Sequence, residues 1–130
     1  MFGLDPWLVT QEGWDAGLHE AAESMFSLGN GFFGQRAMHE EAYSGHTLQG
    51  SYVAGVYYPD KTRVGWWKNG YPEYFAKVLN ATKWLDLDWS VNGRRVDLAS
   101  WTPESYRRSL NMQRGMLNRD FELRTEDGIR

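Results

Sequence analysis

The sequence predicts a mostly β protein built as an antiparallel β-sandwich. Three observations carry this prediction: an alternating segment over residues 84–91, the dipeptide Asn92-Gly93 directly after it, and two further extended runs on either side of Gly115. With 130 residues, the chain is long enough to form one domain with its own hydrophobic core.

The segment WLDLDWSV, residues 84–91, alternates between apolar and polar side chains. This period of two predicts a half-buried strand whose inward face carries Leu85, Leu87, Trp89 and Val91. Asn92-Gly93 is the preferred sequence of a type I′ turn, so the strand is expected to fold back onto residues 94–99 as a hairpin.

A second hairpin is predicted from residues 106–112 and 116–125, joined by a turn at residues 113–115. Its expected core contacts are Leu117, Phe121 and Leu123. Residues 126–128, Glu-Asp-Gly, have the composition of another hairpin turn, and the sequence ends two residues later. Because a pending strand would leave a sheet edge unpaired, we expect the chain to be part of a longer protein.

The first half of the chain is less regular. Residues 48–58, rich in β-branched and aromatic side chains, predict a strand interrupted at Gly50 and Gly55. Residues 22–28 predict a short strand before the sequence SLGNGFFGQR, in which Gly29, Gly31 and Gly34 form a G-x-G-x-x-G pattern.

That glycine pattern is the fingerprint of dinucleotide binding only in a fixed context. It requires a strand before it, a helix opening at the third glycine, and an acidic residue about 20 positions further on to bind the ribose. Residues 49–56 contain no acidic residue. Gly29, Gly31 and Gly34 are therefore predicted to shape a tight turn between apolar segments.

Composition excludes several classes of function. A net charge of −3 and a pI near 5.6 argue against a nucleic-acid partner, which usually requires a basic surface. Cysteine is absent from the sequence, so it holds no disulfide framework and no thiolate nucleophile, and a cytoplasmic location is favoured. The N-terminal residues lack the basic and apolar regions of a signal peptide and do not predict a transmembrane helix.

Three groups of charged residues contain side-chain types that are used in metal, acid–base or phosphate sites. His19-Glu20-Ala21-Ala22-Glu23 nearly matches the H-E-x-x-H zinc helix, and His39-Glu40-Glu41 also contains metal-ligand types, but both are predicted to be solvated polar faces because zinc sites use more His or Cys. Glu40 and Glu41 are adjacent and are expected to point apart, which rules them out as an acid and base pair. A solvated sheet face or a domain interface is favoured over a phosphate clamp for the arginines at positions 107, 108, 114, 119 and 124.

Three segments carry a resemblance to a known family: ESMFSLGNGFFGQR, the stretch from EEAYSGHTLQG to WWKNGYPEYFAKVLNA, and YRRSLNMQRGMLNRDFELRT. In order and spacing, and over nearly the whole chain, they resemble the N-terminal domain of glycoside hydrolase family 65, in its maltose phosphorylase branch. Ala37 departs from the pattern, since the family often has glycine there, and this departure bears on the local turn.

The resemblance implies that residues 1–130 are part of an N-terminal β-sandwich domain in a large cytoplasmic homodimer. The catalytic (α/α)6 barrel would lie beyond this chain, and no catalytic residue is carried over to it. The implied reaction is inverting phosphorolysis: an acid protonates the glycosidic oxygen while inorganic phosphate attacks from the opposite face, which gives β-glucose 1-phosphate and glucose. No cofactor and no metal is implied, and this segment alone is expected to be inactive.

An aromatic loop is the most specific site that the sequence suggests. Trp66, Trp67, Tyr71 and Tyr74 crowd around a Lys-Asn-Gly turn at residues 68–70. They either fill the sandwich or project toward the barrel, where they would cover the α-glucoside or contact a second subunit. Aromatic residues make up 15% of the chain, and flat rings also stack on sugars, so the alternative function is a free-standing carbohydrate-binding module.

Overall fold

The computed structural model describes residues 2–4, 6–61, 74–80 and 83–124. In these residues strands dominate and every strand pairing is antiparallel, which confirms the predicted mostly β class and antiparallel β-sandwich. The described elements are β1 (Phe2–Leu4), β2 (Leu8–Glu12), α1 (His19–Met25), β3 (Leu28–Gly29), β4 (Phe33–Gln35), β5 (Ser51–Val53), β6 (Tyr57–Asp60), β7 (Phe75–Val78), β8 (Ser90–Val91), β9 (Arg94–Arg95), β10 (Ser105–Asn111) and β11 (Met116–Glu122).

The largest sheet has four strands in the order β1-β2-β10-β11. The predicted hairpin of β10 and β11 is confirmed, with Leu110 opposite Leu117. Along β10 the buried residues alternate with more exposed ones, and Tyr106, Arg108 and Leu110 face inward. This period of two places an arginine on the same buried face as a tyrosine and a leucine.

Helix α1 packs against the inward face of this sheet. Ala22 and Phe26 join Val9 of β2 and Leu110 of β10 in one hydrophobic core. The strand predicted over residues 22–28 is therefore wrong for most of its length. The local sequence HEAAESM is rich in helix-forming residues, and the four-residue spacing of Ala22 and Phe26 places both on one helical face.

The glycine-rich stretch forms the hairpin of β3 and β4, in which Gly29 lies opposite Gly34. The Asn30 side-chain oxygen accepts hydrogen bonds from the backbone N–H groups of Phe32 (3.0 Å) and Phe33 (2.8 Å). Gly31, which lies between Asn30 and Phe32, has φ +87°, a left-handed conformation that glycine adopts without strain. Gly34 lies inside β4 and opens no helix, so the stretch lacks the strand-turn-helix geometry of a dinucleotide site.

Residues 48–58 contribute to two sheets instead of one interrupted strand. β5 pairs with β4, the chain turns at residues 54–55, and β6 pairs with β7. Gly55 thus lies in a turn between strands and not at a bulge, because the chain leaves one sheet there and enters the next.

The turn predicted at Asn92-Gly93 is confirmed, with φ +51° and +75° as a type I′ turn requires. The strand before it is much shorter than predicted, since only Ser90–Val91 pair with β9. Upstream, Leu87 exchanges backbone hydrogen bonds with Glu40 and Ala42. Leu87 and Trp89 are 60% and 43% exposed, so the predicted inward face is largely open in the described part of the chain.

Candidate functional site

Most of the predicted aromatic loop lies outside the described residues. This holds for Trp66, Trp67 and Tyr71. Tyr74 is described: it precedes β7, is 53% exposed, and has the Lys61 ammonium 5.9 Å from its ring centroid. A role of this loop near a sugar or a second subunit stays a prediction.

A second group of residues, which the sequence did not single out as a unit, forms the buried polar cluster. Its members combine titratable and aromatic side chains from the segment after β2, from α1, from the segment after β4, and from the hairpin of β10 and β11. They are Trp14, His19, Glu23, His39, Glu41, Tyr43, Tyr106, Arg108 and Arg119.

The helix contributes His19 and Glu23 to this cluster, and both side chains are fully buried. The imidazole Nε2 lies 3.4 Å from the Glu23 carboxylate, which also accepts hydrogen bonds from the Leu48 backbone N–H (2.5 Å) and the Thr47 hydroxyl. Burial alone would raise the pKa of Glu23, but the neighbouring His19 imidazole and the hydrogen bonds from Thr47 and Leu48 outweigh it and lower that pKa. The predicted solvated face is therefore wrong at these two positions.

His39 lies against His19, with 4.4 Å between the ring centroids. The side chain is buried, its two ring nitrogens make no hydrogen bond, and Nδ1 is 3.6 Å from the Glu41 carboxylate. Burial, together with the nearby charges of Arg119, His19 and Arg108, holds the pKa of His39 far below its usual range. His39 is therefore neutral at pH 7 and packs as an aromatic ring, so the solvated face predicted here is also wrong.

Trp14 and Tyr43 complete the aromatic packing around the two histidines. The Trp14 ring lies 5.4 Å from His19 and 5.2 Å from His39, and Tyr43 lies 4.7 and 4.9 Å from the same rings. Among the residues that the structure describes, no three His, Cys, Asp or Glu side chains are arranged to hold a metal ion.

Arg119 supplies the charge that compensates the acidic residues of the cluster. Its Nη1 donates to Glu41 at 3.0 Å and its Nη2 contacts Glu40 at 2.7 Å, while a second hydrogen bond to Glu41 makes that pair bidentate. Burial would lower the pKa of Arg119, but these two carboxylates outweigh it and raise that pKa. Since Glu40 and Glu41 meet the same guanidinium, the expectation that they point apart is wrong.

Arg108 is also enclosed, with 1% of its surface exposed. It donates to the Tyr106 hydroxyl at 2.6 and 3.1 Å and to the Ala37 carbonyl at 3.2 Å. A solvated position is thus wrong for Arg108 and Arg119. Arg107 lies exposed on β10 as predicted, whereas Arg114 and Arg124 are exposed but lie in the turn before β11 and just after β11. Both buried guanidiniums are bonded to protein groups instead of to a ligand. Through these bonds they connect the hairpin of β10 and β11 to the segment that contains Ala37 and Glu41.

A third region, the aromatic cleft, is open to solvent. It has a volume of about 470 Å³ and is lined by Leu28, Gly29, Asn30, Phe33, Gln35, Trp84 and Gly115. Phe33 and Trp84 meet edge to face, with 5.7 Å between ring centroids and 86° between planes, and they are 52% and 40% exposed. Neighbouring Phe32 is 73% exposed and does not line the cleft.

No helix in the described segments has the length and apolar character needed to cross a bilayer. The four-residue spacing of His19 and Glu23 was the one sequence signal that could have pointed to the buried polar cluster.

Comparison with known proteins supports the resemblance drawn from the sequence. The maltose phosphorylase of Bacillus subtilis (strain 168) is 44% identical over 127 residues, which are 98% of this chain and 17% of that protein. A kojibiose phosphorylase of Halothermothrix orenii is 30% identical over 94% of this chain and 14% of that protein. A solved structure, described as a candidate kojibiose phosphorylase from human microbiome, superposes with a TM-score of 0.85 at 25% identity, over 96% of this chain and 17% of that one.

The chain spans 14–17% of the length of these relatives. Residues 9–130 match the N-terminal domain of glycosyl hydrolase family 65. The family resemblance is thereby confirmed, and the chain belongs to the N-terminal domain family of glycosyl hydrolase family 65.

Proposed function

We propose that this chain is the non-catalytic N-terminal β-sandwich of a maltose-phosphorylase-like enzyme. The observation that carries the proposal is 44% identity to the maltose phosphorylase of Bacillus subtilis over 98% of the chain. In this role the domain is a scaffold that contacts a catalytic barrel or a second subunit of a cytoplasmic homodimer. Its buried polar cluster supports such a role, because it ties the helix to the sheet.

The reaction proposed for the longer enzyme is inverting phosphorolysis of an α-glucosyl disaccharide. A carboxylic acid gives its proton to the glycosidic oxygen, inorganic phosphate forms the new bond to the anomeric carbon from the opposite face, and the products are β-glucose 1-phosphate and glucose. The phosphate is a co-substrate that takes the place of water.

We place the acid and the phosphate site outside this chain. A general acid must reach the substrate, whereas Glu23 and Glu41 are buried and bound to protein donors. Arg108 and Arg119, the most enclosed guanidiniums described, are similarly engaged. These contacts favour a structural use for the charged groups of the cluster.

The first test is phosphate-dependent release of glucose from maltose, measured on the 130-residue chain and on a longer protein that carries it. We expect activity in the longer protein alone, with glucose 1-phosphate formed in equal amount to glucose. Omitting phosphate is the control, because a hydrolase would still release glucose. Turnover by the short chain would overturn the non-catalytic assignment.

The aromatic loop is tested in the longer protein with Trp66→Ala and Tyr71→Ala. If the loop covers the sugar or a subunit contact, these variants raise the KM for maltose or weaken the dimer. Tyr57→Ala is the matched control, since Tyr57 lies on β6 and is 59% exposed. An unchanged KM and an unchanged dimer in both loop variants would refute the loop hypothesis.

A further inference from the structure

The scaffold role does not use the aromatic cleft. We propose that it binds a glucosyl ring of an α-glucan or α-glucosyl disaccharide, at a site separate from any catalytic centre. The choice of glucose as the ligand class rests on the proposed function, whereas the existence of a sugar-sized site rests on the geometry of the cleft.

The size of the cleft suits a small ligand. Its volume of about 470 Å³ lies within the range of roughly 300–1,000 Å³ that is typical of small-molecule sites. The walls come from separate parts of the chain: the glycine hairpin, Trp84, and the turn between β10 and β11 at Gly115. Both hairpins are held by antiparallel pairing, so two of the three walls are preformed.

The aromatic wall has the chemistry that sugar recognition uses. A pyranose ring presents a flat C–H face, which stacks on an indole and removes apolar surface from water. Trp84 is 40% exposed and makes its ring contact with Phe33 edge to face. The two rings are nearly perpendicular, so a sugar ring could stack its flat face on one of them while its edge contacts the other.

Asn30 supplies a polar group at the same cleft. Its side-chain oxygen accepts the backbone N–H groups of Phe32 and Phe33, which fixes the amide so that the NH₂ group is the free end. Within the described part of the chain this NH₂ makes no hydrogen bond, so it is available as a donor to a sugar hydroxyl. Because the Asn30 amide is already fixed, it can orient a bound sugar with little loss of side-chain entropy on binding.

Gln35 also lines the cleft, and both ends of its side-chain amide are hydrogen-bonded to protein groups. Its side-chain oxygen accepts the Ser51 hydroxyl at 2.6 Å and its nitrogen donates to the Arg36 carbonyl at 3.0 Å. Because both ends are held, Gln35 keeps its place on β4 when a ligand enters. The cleft thus combines an apolar wall, one unused donor and a fixed polar side chain.

The experiment follows backbone amide and indole N–H signals of the 130-residue chain by NMR during titration with maltose and maltotriose. We expect binding with a Kd on the order of 1 mM, with shifts concentrated at Trp84 and the glycine hairpin. Sorbitol is the ligand control, because it has the hydroxyl groups of glucose without a ring face. Equal binding of sorbitol, or shifts confined to other surfaces, would overturn the proposal.

Two substitutions locate the site, and an adjacent one is the matched control. Phe33→Ala and Trp84→Ala are expected to weaken maltose binding at least about tenfold, whereas Phe32→Ala, which removes an equally apolar ring outside the cleft, leaves it unchanged. Trp84→Phe keeps a flat ring and should restore part of the affinity. Equal losses in the Phe32 and Phe33 variants would also refute the assignment.

These results are independent of the phosphorolysis test. Binding by the short chain reports only on its own residues, so a chain that binds maltose while the longer protein lacks phosphorolysis would refute the proposed function and keep the site. Phosphorolysis by the longer protein without any maltose binding by the chain would keep the proposed function and refute the sugar site. Reversible self-association that protects Trp84 and is insensitive to sugar would assign the cleft to a second copy and reject the sugar site.

Discussion

The buried polar cluster and the aromatic cleft reverse the usual distribution of side chains in a soluble domain. Charged and polar groups such as Glu23, Glu41 and Arg108 are enclosed, while Phe33 and Trp84 face solvent. Each buried charge has a partner, as burial requires. The comparison indicates that polar contacts inside this domain hold its elements together, and that its exposed rings are available for recognition.

The largest expected effect comes from removing the charge that the cluster shares. Arg119→Ala leaves Glu40 and Glu41 without their guanidinium, and breaking a buried pair in this way costs about 3–5 kcal/mol of unfolding free energy. The measurement is the urea midpoint with its slope. The matched control is Arg107→Ala on the partner strand, where the ion pair with Glu12 is more than half exposed and contributes about 0–1 kcal/mol. Similar losses in both variants would mean that burial does not distinguish these pairs.

A smaller loss is expected from Glu23→Gln. The amide keeps the size of the carboxylate but loses its charge and one acceptor, and the donors that face it are the Thr47 hydroxyl and the Leu48 backbone N–H. Leaving a buried donor unpaired costs about 1–3 kcal/mol. Glu20→Gln, one turn earlier on the exposed side of α1, is the control and should stay near the parent stability by thermal unfolding. No change in the Glu23 variant would show that the helix is held by its apolar face alone.

His39 gives the domain a pH dependence. Its pKa is lowered in the folded state, so only the unfolded chain takes up this proton near pH 6.5, and the stabilising contribution is complete above that pH. As pH falls below about 6.5, stability decreases by up to about 1.4 kcal/mol per unit. The lowered pKa of Glu23 adds a further loss below its ordinary value of 4.5. The charged and titratable groups that face or neighbour His39 are His19, Glu41, Tyr43, Arg108 and Arg119.

Unfolding curves measured at intervals from pH 7.5 to 5.5 test this dependence. His39→Phe should flatten the slope in this window, because the ring is kept and the titration is lost. His46→Gln, at an exposed histidine, should retain the slope. A parent protein of constant stability across the window would contradict the neutral buried state of His39.

The smallest effect on stability is expected in the cleft. Phe33→Ala and Trp84→Ala each change the unfolding free energy by less than about 1 kcal/mol, since surface substitutions without buried contacts usually lie within that range. The measurement is the same urea titration. A loss as large as that of Arg119→Ala would mean that the two rings are part of the core, and the contrast between the regions would disappear.

Local turn chemistry could be predicted from the sequence, and long-range burial could not. Asn92-Gly93 encodes its own turn because the backbone angles depend on those two residues. The inward face predicted for residues 84–91 failed, since the backbone of Leu87 pairs with the distant residues 40 and 42. This long-range backbone pairing is determined by the tertiary structure, which can override the strand pattern that alternating apolar and polar residues predict.

The buried polar cluster was missed for a related reason. Residues 19, 22, 23 and 26 follow the spacing of one helical face, and all four are buried. Two of them, His19 and Glu23, are polar types that are mostly exposed in other proteins, which favoured a solvated face. Thr47 and Leu48, which donate to Glu23, lie more than 20 positions further along the chain, so local sequence could not indicate that this charge would be compensated.

The pairing of β2 with β10 also has a consequence for synthesis of the chain. Thr10 lies opposite Ser109, so an early strand in the sequence must wait for a partner that leaves the ribosome 99 residues later, since 109 − 10 = 99. At about 5–20 residues per second this interval is roughly 5–20 s. During that time β2 has no native neighbour on that side, and the closure of so long a loop slows folding. Among the described strand pairings, that of β2 with β10 is therefore the one that is completed last relative to the synthesis of its first strand.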